Sequence, residues 1–269
     1  MTRIALVGNL TIDRVSGGPP RPGGGVFHGA RAAAHVGADA VVATRCAPDD
    51  RELVLAPLEA FGLPVTCADA SETTAFSFSY DGDHRVMEVD ALGEAWSVAD
   101  LEGWAASTIA DASWVHVAGL LRSHFPAAAI EYLARGRRLL LDAQGILRQP
   151  RLGALERDAE IDRALLRHLA VLKLNEDEGR ILAGGVEPDQ LRALGVPEVV
   201  LTLGSDGALV ITPSEAVEIP PAPTRGEVDP TGAGDAFSVV YLAGRARELE
   251  PAEAATHAAA VVAELIETG

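Results

Sequence analysis

The residues best placed to do chemistry lie in one nine-residue string near the end of the chain. Residues 229–237 read Asp-Pro-Thr-Gly-Ala-Gly-Asp-Ala-Phe. Pro230 removes a backbone donor and stiffens the approach, while Gly232 and Gly234 permit a tight turn. A glycine-rich turn feeding a helix N-terminus points unpaired N–H groups and the positive dipole end at one spot. The expected result is an anion hole that needs no lysine. Asp235, at the same terminus, would compete with a bound anion unless its task is to take a proton from a nucleophile. That makes it a candidate general base for an attacking hydroxyl. The plainer alternative is an Asp that stabilises a helix start.

The composition narrows how such a site can hold phosphate. The chain has 269 residues, with 22 basic and 39 acidic side chains and a net charge of −17. Acidity on this scale gives no general attraction for nucleic acid or anionic membranes, and neither is expected as a partner. Lys173 is the only lysine, and it stands in Val-Leu-Lys-Leu-Asn. That context is neither a Walker A loop nor the strand lysine of a protein kinase, so both classes are excluded. Phosphate must then be held by backbone amides, arginines or a metal ion.

Other classes fall for similar reasons. Gly23-x-Gly25 runs on to His28 and Gly232-x-Gly234 to Phe237, so no dinucleotide-binding Gly-x-Gly-x-x-Gly exists. No Gly-x-Ser-x-Gly marks a serine hydrolase. The histidines are scattered without zinc-ligand spacing. Cys46 and Cys67 lack metal or redox spacing and read as reduced thiols. No run approaches the roughly 18 apolar residues of a membrane helix. The N-terminus passes straight into a strand pattern without a signal-peptide core, so a cytoplasmic protein is expected.

Elements to position these residues are visible in the apolar pattern. Short β-type runs at 3–7, 41–45, 113–117, 138–142, 170–174 and 199–203 alternate with helical stretches. Those stretches are 28–36, 50–61, 98–109, 125–135, 161–169 and 188–194, with two long helices at 235–248 and 251–267. Such alternation predicts a mainly parallel sheet with helices on both faces, an α/β three-layer αβα sandwich formed by one domain over 1–269. Residues 73–89 break the rhythm as a hairpin around Gly82. With 11–15 they are expected to form a small β lid, the alternative being an edge hairpin of the main sheet. Residues 16–25 are rich in glycine and proline and read as a loop.

The string ending in Asp235 resembles the C-terminal signature of the ribokinase/PfkB carbohydrate kinase family, and further motifs follow the same order. Val-Gly-Asn-Leu-Thr-Ile-Asp at 7–13 resembles the family's first strand and its substrate-facing Asp, here Asp13, with Asn9 in the same string. Gly23-Gly24-Gly25 before an alanine-rich helix resembles the di-glycine substrate motif. Asn175-Glu176-Asp177-Glu178 matches Asn-x-x-Glu, and the string from Thr202 through Gly204 and Gly207 resembles the nucleotide-side turn. Taken from the residues alone, Asn175–Glu178 is equally a capped helix start, 202–208 an ordinary hairpin turn and Asp13 a turn cap.

The resemblance implies phosphoryl transfer from ATP, with magnesium, to a hydroxyl of a small sugar, polyol or nucleoside. It makes Asp235 the base and sets the amides of Ala233, Gly234 and Asp235, turned by Gly232, around the transferring group. It places Asp229 on the nucleotide side and Glu178 with Asn175 on magnesium, through water. Two departures bear on the substrate. His28 stands where many members carry a substrate-binding Asn, and the chain is short for the family. Arg21-Pro22-Gly23-Gly24-Gly25-Val26 and the string from Leu141 through Gln144 to Arg148 are similar to the branch that includes myo-inositol kinases. Gln144 offers donors and an acceptor to a cyclic polyol, and Arg148 either reaches a phosphate or lies on the surface. A non-catalytic nucleotide- or polyol-binding protein is the alternative of another class, disfavoured because a binder has no use for Asp235. A monomer or a homodimer is compatible with an exposed hairpin edge.

Overall fold

The computed structural model describes residues 2–16, 18–81, 84–224 and 229–267. The expected hairpin tip at Gly82 and Asp83 lies outside the described residues. Apolar residues of the alternating segments form two sheets. In chain order the strands are β1 (Ile4–Asn9), β2 (Thr11–Val15), β3 (Arg21–Gly23), β4 (Ala40–Cys46), β5 (Val65–Asp69), β6 (Thr74–Asp81) and β7 (His84–Ala91). They continue as β8 (Trp114–Ala118), β9 (Arg138–Asp142), β10 (Gly153–Ala154), β11 (Val171–Asn175), β12 (Glu198–Thr202), β13 (Ala208–Ile211) and β14 (Ala216–Ile219).

The large sheet runs β14-β13-β12-β11-β9-β8-β1-β4-β5. Its pairings are parallel from β5 to β12 and antiparallel at β13 and β14. Near-continuous burial of β1, β4 and β8 follows from helices on both faces. One face is covered by the helices Gly24–His35, Ala233–Ala246 and Pro251–Glu267, whose apolar residues join one core. The other face is covered by the shorter helices between residues 98 and 194. The chain leaves β1 towards β4 on one side and reaches β8 on the other. The C-terminal ends of β1 and β8 therefore flank the crevice where α/β sheets bind ligands. Backbones are close there: a Cβ on Gly8 would stand 2.6 Å from Ala118 O.

The second sheet runs β10-β7-β6-β2-β3, with β2 and β6 parallel and the rest antiparallel. It is separate from the main sheet, as the early hairpin predicts. The hairpin has neighbours on both sides, since β6 pairs β2 and the short β10 meets β7 at Val89 and Glu88. Phe76, Phe78 and Val89 from its underside pack on Leu120 and Leu121.

Several elements differ from expectation. The stretch 98–109 is two short helices, Val98–Glu102 and Ala106–Ile109, because Gly103 leaves helical geometry at φ −95, ψ −112. The stretch 161–169 is a 3₁₀ helix, Arg163–His168, with Asp162 capping it. The expected loop at 16–25 contains β3, and its last residues already begin the helix Gly24–His35. The short outer strands β5, β10 and β14 were not anticipated. Neither thiol is in a disulfide, although Cys46 and Cys67 Sγ are 3.7 Å apart across β4 and β5. No helix among the described residues is long and apolar enough to cross a membrane.

Candidate active site

The helix Ala233–Ala246 begins at the turn the sequence marks. Gly232 is its N-cap in the left-handed region, at φ 76. A Cβ there would fall 2.1 Å from the His28 ring, so two independent constraints require glycine. The Ala233 N–H is spent on Pro230 O (3.1 Å). The amides of Gly234 and Asp235 have no protein acceptor among the described residues, so the anion hole narrows from three amides to two.

The missing charge comes from a residue discounted at sequence level. A Cβ on Gly234 would lie 2.6 Å from Lys173 Nζ, so the absence of a side chain lets the ammonium reach the helix start. Lys173 projects from β11 with its Nζ 3.0 Å from Asp142 Oδ1, and the two residues are register partners across β11 and β9. Asp142 is 1% exposed. Ser238 Oγ donates to its Oδ1 (2.8 Å), and His116 Nε2 lies 2.6 Å from its Oδ2. An ionised carboxylate only accepts, so this His116 nitrogen carries the proton. Burial pushes the Asp142 carboxyl up, but Lys173 and the His116 and Ser238 hydrogen bonds outweigh it and hold it below the usual range. Burial likewise works against the Lys173 charge, and Asp142, Glu178 and Asp235 together raise it instead.

Asp235 faces the same space. Gln144 Nε2 donates to its Oδ1 (3.0 Å), and a Cβ on Gly25 would approach that oxygen to 3.2 Å. Burial raises the Asp235 carboxyl above the ordinary range, the Asp142 charge adds to this, and Lys173 opposes it. A carboxylate in this setting binds a proton more readily than an exposed Asp, which suits a candidate base. We predict an acid limb of kcat/KM above the usual Asp value of about 3.9, read from a pH–rate profile. An acid limb at or below that value would contradict the assignment.

These groups line one cavity of about 220 Å³. Its lining includes Asp13, Gly24, His28, Gln144 and Arg148, together with Asp235, Gly232 and Gly234. Asn175, Glu178 and Lys173 also line it, as do Phe76, Phe78 and Met87 of the second sheet. Thr11 Oγ1 donates to Asp13 Oδ1 (2.8 Å), and that carboxylate fills the space a Cβ on Gly23 would need. Burial lowers His28 to about 4, so its ring is neutral near pH 7 and offers one donor and one acceptor.

Some expected residues do other work. Asn9 accepts from Trp96 Nε1 (2.8 Å) and donates to Glu94 O (2.9 Å), which ties the return from the hairpin to β1 and keeps Asn9 off the cavity wall. Asp229 caps the Thr231 N–H (2.9 Å), pairs with Arg21 (3.4 Å) and lines a second cavity behind the Gly232 turn. Asn175 and Glu178 form a reciprocal capping box at the helix Glu176–Ala183. Thr202 Oγ1 donates to Leu174 O (3.3 Å), and neither it, Gly204 nor Gly207 lines the catalytic cavity. Gly207, at φ 96, is required because a Cβ would meet Ile219 O at 2.1 Å.

Besides Lys173, sequence reasoning missed Asp142, His116, Ser238 and Arg157. A signal existed for Lys173: it lies two residues before Asn175 on the same strand, and strand side chains alternate.

Comparison with known proteins agrees with this geometry. A structure of a pyrophosphate-dependent kinase in the ribokinase family, complexed with a pyrophosphate analog and myo-inositol, has a TM-score of 0.85 at 24% identity, covering 98% of this chain and 94% of that one. A sulfate complex of a pyrophosphate-dependent kinase in the ribokinase family has a TM-score of 0.85 at 25% identity, covering 98% and 95%. Ribokinase of Arabidopsis thaliana, complexed with ribose and ATP, has a TM-score of 0.75 at 20% identity, covering 99% and 93%. The fold is thus ribokinase-like. The sequence model of the pfkB family carbohydrate kinases matches residues 8–269, and the chain belongs to that family.

Proposed function

We propose that this protein transfers a phosphoryl group to a hydroxyl of a small cyclic polyol, myo-inositol being the first candidate, with inorganic pyrophosphate as donor. The observation that carries the reading is one cavity holding Asp235, two open amides and the ammonium of Lys173. The acceptor hydroxyl gives its proton to Asp235. Its oxygen attacks the terminal phosphorus, the bridging P–O bond breaks, and the electron pair leaves on inorganic phosphate. Charge gathered in the transition state falls on the Gly234 and Asp235 amides and Lys173, which are fixed beforehand. Asp13, His28, Gln144 and Arg148 orient the polyol, and the second sheet acts as the lid.

The donor reading is supported by the structural relatives that are pyrophosphate-dependent. It is also supported by the position of Thr202, Gly204 and Gly207 outside the cavity. ATP, the expectation from the sequence, is the second reading, favoured by the Thr202–Gly207 string and by the ATP-bound plant ribokinase.

A magnesium ion fits as a lightly held group. Glu178 is 4% exposed, and its Oε2 accepts from Asn175 N (2.9 Å), while no protein donor among the described residues reaches Oε1. Asn175 Oδ1 is spent on Glu178 N (2.9 Å), so Asn175 would reach the ion through water. One carboxylate beside donor phosphates suits an ion that keeps most of its waters. When bound, magnesium neutralises phosphate charge.

The test is turnover with magnesium and either pyrophosphate or ATP against a panel of inositols, pentoses, hexoses and nucleosides. Pyrophosphate with myo-inositol is expected to be at least about tenfold faster than ATP, a difference of about 1.4 kcal/mol. Turnover with ATP alone replaces the donor reading. Preference for ribose, fructose or a nucleoside removes the myo-inositol reading.

A further inference from the structure

A donor without a nucleoside loses every contact a base and ribose would make, so its affinity must come from groups that meet phosphate oxygens. Lys173 and the open amides serve the transferring phosphoryl. The leaving phosphate needs its own partner, and inorganic phosphate carries more charge than the corresponding oxygens of a nucleoside diphosphate.

One described cation is placed for this and otherwise unused. Arg157 lines the catalytic cavity and also a neighbouring opening beside Asp177 and Arg180 of the helix Glu176–Ala183. That helix supplies the donor-side Glu178, and Asn175 caps it. Most arginines of the chain are already engaged; Arg180, for example, pairs with Glu176 and Asp177 at 2.9 and 3.1 Å. The Arg157 guanidinium makes no hydrogen bond or ion pair among the described residues and is exposed. Its backbone is nevertheless held. Arg157 bridges Arg148, and Leu155 N donates to Met87 O of the second sheet (2.9 Å). On the other side Asp158 pairs with Arg122 and accepts from Gln149 Nε2 (2.6 Å). The segment is thus anchored both to the lid and to the main body, with a free guanidinium between them.

We propose, resting on the pyrophosphate reading above, that Arg157 binds the leaving phosphate of inorganic pyrophosphate and is the residue that makes a nucleoside unnecessary. The guanidinium fork fits two phosphate oxygens at once, which a lysine does not. Attachment to β7 through Leu155 brings this contact into place with the lid.

The experiment measures steady-state kinetics with magnesium, myo-inositol and inorganic pyrophosphate, and calorimetric binding of magnesium pyrophosphate, for wild type, Arg157→Ala, Arg157→Lys and Arg151→Ala. The expected result for Arg157→Ala is a pyrophosphate KM and Kd raised about 10- to 100-fold, the scale of one charge-assisted contact. The acceptor KM and the thermal midpoint stay as in wild type. Arg157→Lys recovers part of the loss. Arg151→Ala, which removes an exposed pair with Glu156 in the same segment, changes nothing. A pyrophosphate KM within twofold of wild type in Arg157→Ala overturns the proposal. Wild-type protein that turns over ATP but neither binds nor uses pyrophosphate overturns the donor reading itself, and the proposal with it.

Discussion

Asp235→Asn is expected to lower turnover by about 10²-fold or more, the scale of a lost general base, while donor binding is kept. Asparagine has the same shape, and its Oδ1 can still accept from Gln144 Nε2, which donates to Asp235 at 3.0 Å. What disappears is the ability to take the acceptor proton. The variant also separates chemistry from stability. The Asp235 carboxyl lies above its ordinary range, first through burial and then through Asp142. A carboxyl whose folded pKa exceeds its unfolded value weakens the fold at any pH above both values. Removing its charge should therefore leave the thermal midpoint unchanged or raise it at pH 7. A slow enzyme that melts no earlier than wild type is the predicted pair of results. Near-normal turnover would remove Asp235 from the chemistry.

Lys173→Met is expected to affect both activity and stability. The lone lysine is 8% exposed and faces Asp142, with Asp235 and Glu178 in its field. Without it, Asp142 is left buried with Ser238 and His116 as its side-chain donors among the described residues. Removing one partner of a buried ion pair costs about 3–5 kcal/mol, so the thermal midpoint should fall clearly. Turnover should fall about 10²- to 10³-fold through loss of a preorganised charge at the anion hole. Asp235 should also become harder to ionise, since Lys173 works to lower its pKa, and the acid limb should move up. Adding Asp142→Asn to Lys173→Met tests the split. The double variant should recover part of the stability, because no charge is left buried alone, and none of the turnover. Turnover restored together with stability would make Lys173 purely structural.

What could be read from the sequence was local. The alternation of apolar runs placed the parallel strands because each is buried on both faces and must be apolar along its length. Gly232 and Gly234 before a helix announced an anion hole; Gly232 takes a left-handed backbone that favours glycine, and Gly234 leaves room for Lys173. Short elements were not legible: β10 has two residues and β5 lies at the sheet edge, so neither carries a periodic signal. Gly103 ended a helix that the apolar pattern alone would have continued. The site was legible where a motif is contiguous, as at Asp235, and illegible where partners meet only across the fold. Lys173 and Asp142 are adjacent only because β11 pairs with β9, and Ser238 joins them from a helix near the C-terminus. Asn9 shows the opposite case, a polar residue in a suggestive string whose hydrogen bonds are consumed by Trp96 and Glu94. The acidity that looked hostile to a polyanion is answered locally, by the one lysine of the chain placed under Gly234.

The most direct measurement is a ³¹P NMR time course of the protein with magnesium, pyrophosphate and myo-inositol, run beside Asp235→Asn. Wild type should build a phosphomonoester resonance and an equal amount of orthophosphate, and the variant should build neither above background. Orthophosphate appearing two for each pyrophosphate without any phosphomonoester, or equal product from both proteins, would contradict transfer to a hydroxyl through Asp235.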